Sequence, residues 1–202
     1  MKKSYLIILG GGKSQFQFIQ RSKKLGYKII VIDRNSRAVG VSLSDIYIKA
    51  STHDANLILK KIKKLNVNII GLIARTSSIP LFTAAKLNKN FNLIGINYEL
   101  AKTSTSKSQL RKFLNKIDVP CPEGQNINSI NKSLADYFIA KYRELVIKPE
   151  ITIVGKKDIY LCRSAKEIRA NAYKSISASY NKKAEIQRFI NGKDICFLVL
   201  FN

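Results

Sequence analysis

Residues 6–12, Leu6-Ile7-Ile8-Leu9-Gly10-Gly11-Gly12, decide how the first hundred residues are read. Four consecutive apolar residues are what a strand covered on both faces requires. The three glycines then break the strand. A helical pattern runs from Lys13 to Leu25, with Gly26 placed as a C-terminal cap. The same unit recurs downstream. Lys28 to Ile32 forms a second buried strand closed by Asp33, and Asp45 to Ile48 a short third. Asp54 opens an amphipathic helix through Leu65, with Leu57, Ile58, Ile62 and Leu65 on one stripe. Val67 to Ile73 is a fourth strand, Ser77 to Leu87 a helix, and Asn92 to Ile94 a short fifth strand. Alternation of this kind predicts an α/β fold, a parallel open sheet with helices on both faces and right-handed crossovers.

The pattern changes after about residue 100. Thr103 to Ser106 is a polar stretch placed to cap a helix from Lys107 to Lys116. Val119-Pro120-Cys121-Pro122 cannot continue that helix and is expected to be extended. A helix from Ser129 to Lys141 follows, then a strand Leu145-Val146-Ile147 paired as a hairpin with Ile159-Tyr160-Leu161. Ser164 to Ser175 is helical, Ala184 to Ile190 a strand, and Ile195 to Phe201 a last apolar strand. That final strand has no cover of its own, so it predicts pairing with a second copy or with a complementing C-terminal chain.

Bulk properties narrow the function. The chain of 202 residues holds 36 basic and 13 acidic side chains, a net charge of +23. Such an excess can mark a phosphate-rich partner. However, the lysines lie on helix faces (Lys60, Lys61, Lys63, Lys64) without interleaved aromatics, which argues against nucleic acid as the main partner. Cys121, Cys162 and Cys196 are odd in number and scattered, and no segment is long and apolar enough for a membrane span. A cytoplasmic protein is expected.

Three constellations carry chemistry. The Gly10-Gly11-Gly12 loop permits close approach of an anion to a helix N-terminus, with Asp33 at the end of the next strand. Its spacing, GGGKSQF, lacks the third glycine of a dinucleotide fingerprint, so a small-anion site and a ligand-free tight turn both remain. Arg75, followed by Thr76 and Ser77, lies at the carboxyl end of the fourth strand, where open α/β sheets bind ligands. Here too Ser77 or Ser78 can simply cap the next helix and Arg75 be solvated. Lys107 starts a helix, and Lys148 follows three apolar strand residues, so its ammonium is aimed from a core edge, as a phosphate would require.

Three blocks then align in order: IARTSSIPLFTAAKLNKNFNLIGINYELAKTSTSKSQLRKFLNKIDVPCP at 73–122, VIKP at 146–149, and EIQRFINGKDI at 185–195. Together they resemble the ATP-grasp superfamily, in particular its carboxylate–amine or thiol ligases such as carbamoyl-phosphate synthase and biotin carboxylase. The resemblance implies a Rossmann-like pre-ATP-grasp domain over 1–101, a linker and helix over 102–122, and an incomplete α+β ATP-grasp domain over 123–202. It implies ATP as cofactor and a small carboxylate substrate phosphorylated to an acyl phosphate. Lys107 and Lys148 take the places of the two phosphate lysines, and Gln187, Arg188, Phe189 and Ile190 those of the adenine hinge. Asp194 takes that of the ribose carboxylate, although an exposed turn charge after Asn191-Gly192 is the alternative. Gly155 and Lys156 stand where a glycine-rich phosphate lid is usual. Gly10, Gly11, Gly12, Arg75 and Ser77 would hold the substrate.

Two departures matter. The lid region holds one glycine, and the family's Mg2+ ligands and catalytic arginine fall beyond residue 202. No catalytic or metal residue is therefore assigned within the chain, and a truncated or split ligase is expected, inactive alone. The competing readings are a non-catalytic ATP or small-anion binder, an RNA-binding protein and a nicotinamide-dependent oxidoreductase.

Overall fold

The computed structural model describes residues 3–153, 157–193 and 195. Two compact units divide at Leu110 and Arg111. In the first, β1 (Ser4–Leu9), β2 (Lys28–Asp33), β3 (Ile46–Lys49) and β4 (Asn68–Ile73) form a parallel sheet in the order β3-β2-β1-β4. β1 and β2 are apolar on both sides, and their two faces feed different clusters. Ile7, Leu9, Ile30, Ile32 and Ile48 pack with Ile58 and Ile62 of α2 (Ala55–Lys64) and Leu87 of α3 (Ile79–Phe91). Ile8, Ile29 and Val31 pack with Ile19 of α1 (Lys13–Lys24) on the opposite face. Gly26, at φ +84°, closes α1 as expected, its N–H donating to the Lys23 carbonyl.

The expected fifth strand over 92–94 does not form. Asn92 is left-handed, φ 52°, and caps α3, while Leu93 donates back to Asn88, so the chain turns where a strand would have to extend. Residues 103–105 are not a cap either. They belong to α4 (Tyr98–Thr105), which Asn97 caps through Leu100 N, and Ser106 alone accepts from Gln109 N in α5 (Lys107–Lys116). The α3 helix starts at Ile79 rather than Ser77, because Ser78 at φ 65° lies outside helical geometry.

The second unit is an antiparallel sheet ordered β5-β8-β6-β7, from β5 (Gly124–Ile127), β6 (Leu145–Pro149), β7 (Tyr160–Cys162) and β8 (Ala184–Arg188). The β6–β7 hairpin pairs Ile147 with Tyr160. β5 had no counterpart in the sequence reading, since Gly124-Gln125-Asn126-Ile127 holds one apolar residue. On one face, Leu145, Ile147, Ala184 and Ile186 pack against Phe138 of α6 (Lys132–Tyr142) and Ile168 and Ala172 of α7 (Ala165–Ala178). Strand periodicity sends the intervening residues to the other face. The expected strand 195–201 lies, apart from Ile195, outside the described residues.

Candidate functional site

The second face of that antiparallel sheet is largely polar and half-buried, with Glu185 and the neighbouring Glu150 buried. Register places Lys148 opposite Glu185, Val146 opposite Gln187, and Asn126 and Gly124 opposite Glu185 and Gln187 from the other side. Directly opposed residues share a face, so these side chains form one surface. Lys148 Nζ donates to Gln187 Oε1. Glu185 is 2% exposed, and its Oε1 meets the Arg111 guanidinium, which α5 lays over Gly124. Glu150, fully buried, accepts from Asn181 Nδ2 at 2.9 Å. Burial pushes the Arg111 guanidinium below its ordinary pKa, while the charge of Glu150 is among those acting upward. Glu185 Oε2 and Asn126 Oδ1 are buried without a hydrogen-bond partner. Buried charges and acceptors of this kind cost stability unless a partner or ligand satisfies them.

The hinge residues border a cleft. Past Gln187, Arg188 N donates to Glu123 O at 2.8 Å and Phe189 N to Glu144 O at 3.2 Å. Two of these amides are thus committed to protein carbonyls. Arg188 and Ile190, both exposed, line a cleft of about 410 Å3 with Pro120, Cys121, Pro122 and Glu123. Its size suits an aromatic ring system and its walls are largely apolar.

In the first unit, Gly10-Gly11-Gly12 and Arg75 both leave the carboxyl edge of the sheet where the strand order reverses, between β1 and β4. The structure joins them: Gln15 Nε2 donates to the Arg75 carbonyl at 2.7 Å, and the Arg75 guanidinium lies 5.9 Å from the Phe18 ring centre. Gly10, at φ +92°, donates to Ile32 O, and Gly11 N donates to Asp33 Oδ2 at 2.8 Å. Gly40 N in turn donates to Gly11 O at 2.8 Å. Two of the three loop amides are therefore used internally, and Asp33 clamps the loop instead of presenting an open carboxylate to a ribose. Gly12 opens α1 and lines a cleft of about 260 Å3 with Lys13, Asp33, Asn35 and Arg37. Ser77 follows Arg75 in the loop before α3, and its carbonyl accepts from Thr76.

Lys107 is the first residue of α5, in the unit opposite to that of Lys148. Gly155, Lys156 and Asp194 lie outside the described residues. Arg111, Glu185, Glu150 and Asn126 were missed by sequence reasoning. A signal was available, because Glu150 and Glu185 stand two residues from Lys148 and Gln187, the spacing that shares a strand face. Among the described residues, no three His, Cys, Asp or Glu form a group able to hold a metal ion, and no helix is long and apolar enough to cross a membrane.

No family model matches the sequence. Solved structures do match. N5-carboxyaminoimidazole synthetase from Staphylococcus aureus, complexed with ADP, superposes with a TM-score of 0.75 at 16% identity, over 96% of this chain and 49% of that one. Phosphoribosylglycinamide synthetase from Anaerococcus prevotii gives 0.63 at 19% identity, over 94% and 46%. L-amino acid ligase from Bacillus licheniformis gives 0.68 at 14% identity, over 95% and 45%. The chain spans about half the length of each of these. At these identities, what they share with it is the fold.

Proposed function

We propose, from a chain that folds as the amino-terminal half of an ATP-grasp enzyme, that it binds ATP on the polar face of its antiparallel sheet and serves an ATP-dependent carboxylate ligase. The observation that carries this reading is the Lys148–Gln187 pair beside buried Glu185, a charged surface built into a sheet whose other face is core. Lys148 donates to a neutral amide, and an ammonium is a compact point charge of the kind that phosphate oxygens take. Gln187 Oε1 retains a second lone pair, which suits the exocyclic amine of adenine. Ile190 N–H would donate to the base edge, with Arg188 and Phe189 holding the hinge in place through their own amides. Lys107, Gly155, Lys156 and Asp194 complete the nucleotide set in this reading, as second phosphate lysine, lid and ribose carboxylate.

The substrate carboxylate is assigned to the first unit, at Gly10 to Gly12, Arg75 and Ser77. There the open end of α1 and the Arg75 fork offer donors to an anion. In the implied reaction a carboxylate oxygen attacks the γ-phosphorus of ATP and the bond to the bridging oxygen breaks. ADP leaves, and an amine displaces phosphate from the acyl phosphate. Mg2+ would supply charge neutralisation on the phosphates. The described residues offer it no ligand set. A cytoplasmic setting fits ATP as the ligand.

Isothermal titration of the chain with ATP and Mg2+ tests the reading. Binding is expected, and Lys148→Ala should weaken it roughly ten- to hundredfold, the worth of one hydrogen bond to a charged group. Absence of heat from the unaltered chain, or binding untouched by Lys148→Ala, would overturn it.

A further inference from the structure

Glu185 stands directly across the β6–β8 ladder from Lys148, yet Lys148 Nζ donates to Gln187, one diagonal away, and Glu185 Oε2 has no hydrogen-bond partner. An ammonium and a buried carboxylate in opposed positions attract strongly, more so where water is excluded. What differs at Glu185 is Arg111, whose guanidinium occupies Oε1. Gly124 makes room for that contact, since a Cβ there would lie 3.0 Å from Glu185 Oε1 and 3.2 Å from an Arg111 guanidinium nitrogen. Arg111 also feels Glu150, the other buried acid on this face.

We infer that Arg111 is a positioning residue for Lys148: by neutralising Glu185 it prevents that carboxylate from capturing the Lys148 ammonium, which is thereby kept on Gln187 and aimed at the nucleotide. The inference rests on the ATP-binding reading for its functional consequence, although the contest between Arg111 and Lys148 for Glu185 exists without ATP. A guanidinium suits the task better than an ammonium, being planar and more weakly hydrated.

The experiment compares Arg111→Met, Glu185→Gln and the double variant by two readouts. The first is ATP–Mg2+ affinity by calorimetry. Arg111→Met should lose roughly ten- to hundredfold, Glu185→Gln should bind like the unaltered chain, and the double variant should regain affinity. Were Arg111 a phosphate ligand, the double variant would stay weak; were Glu185 a nucleotide ligand, Glu185→Gln alone would lose affinity. Either outcome overturns the inference. The second readout needs no ATP. The Lys148 ammonium is titrated by 13C-lysine NMR, its signal assigned by its loss in Lys148→Arg. Among the described residues, Glu185 stands opposite Lys148 and Arg111 meets Glu185, while Glu150 lies two residues further along the chain. Arg111→Met should raise the Lys148 pKa, because Glu185 is left unpaired opposite it, and Glu185→Gln in the same chain should bring it back. An unchanged Lys148 titration in Arg111→Met refutes the contest itself. Failure of the unaltered chain to bind ATP, with the NMR shifts as expected, refutes the ATP reading and not the contest. If Arg111→Met does not fold, the double variant decides, since weak ATP binding there contradicts the inference and normal binding supports it.

Discussion

Replacing Asp33 by asparagine should unlock the glycine loop of the first unit at a calculable cost. The carboxylate accepts from Gly11 N through Oδ2 and from Asn35 N through Oδ1, each at 2.8 Å. An amide of the same shape has one acceptor oxygen, so one of those bonds is lost and an NH2 group is turned towards an N–H donor. A hydrogen bond to a charged acceptor is worth about 1.5–3 kcal/mol, and the Asn35 side is open to water that can replace it. The oxygen of the variant is therefore expected on Gly11, with a net loss of about 2 kcal/mol. For a unit of this size that is roughly 8 °C in melting temperature. Asp33→Ala, which leaves both N–H groups without the acceptor, should lose more. Calorimetric melting gives the magnitude. Hydrogen exchange at the Gly11 amide gives the location, with protection reduced in Asp33→Asn and abolished in Asp33→Ala. If Asp33→Asn melts within about 2 °C of the unaltered protein and Gly11 stays as protected, Asp33 does not hold the loop.

Gly124→Ala should destabilise the second unit by about 1–3 kcal/mol. Its Cβ would sit 2.6 Å from the backbone oxygen of Ile186, which cannot move without disturbing β8, and normal melting of this variant would contradict that packing. A pH effect is expected at Asp45. Burial raises its pKa, but the bonds from Lys23 Nζ and Ile29 N together pull it below the ordinary carboxylate value. A depressed folded pKa means that its stabilisation is present above about pH 4 and lost as pH falls through the folded value. Asp45→Asn should therefore lower the melting temperature at neutral pH and have little effect near pH 2–3, whereas an equal loss at both would refute the assignment.

The parallel sheet was legible because its strands are continuous apolar runs and its helices carry single stripes, patterns that only burial on two faces explains. The short fifth strand failed for a local reason: Leu93 and Ile94 are apolar, but Asn92 takes the left-handed conformation that ends α3. β5 failed for the opposite reason. Its pairing with β8 is held by backbone hydrogen bonds and by a glycine that admits Arg111, neither of which leaves a hydrophobic signature. At the site, Lys148 and Gln187 were found from the order of short blocks, and the structure brings them into contact. Arg111 was not found, because a side chain reaching from a helix onto a sheet is set by tertiary approach and not by spacing along the chain.

The net charge of +23 bears on that arrangement. Lys60, Lys63 and Lys64 are exposed on α2, and Lys61 reaches the Lys49 carbonyl, so part of the excess lies on a solvated helix face. Of only 13 acidic residues in the chain, two, Glu150 and Glu185, are buried on the face that carries Lys148. In a chain with so few carboxylates, each buried one attracts any cation within reach. Asn181 donates to Glu150, and the Arg111 guanidinium meets Glu185. The different partners follow from geometry. Glu185 lies directly across the ladder from Lys148, where a neutral donor would leave the full carboxylate charge facing the ammonium. A charged partner is required at Glu185, and the turn of α5 over Gly124 is what delivers it.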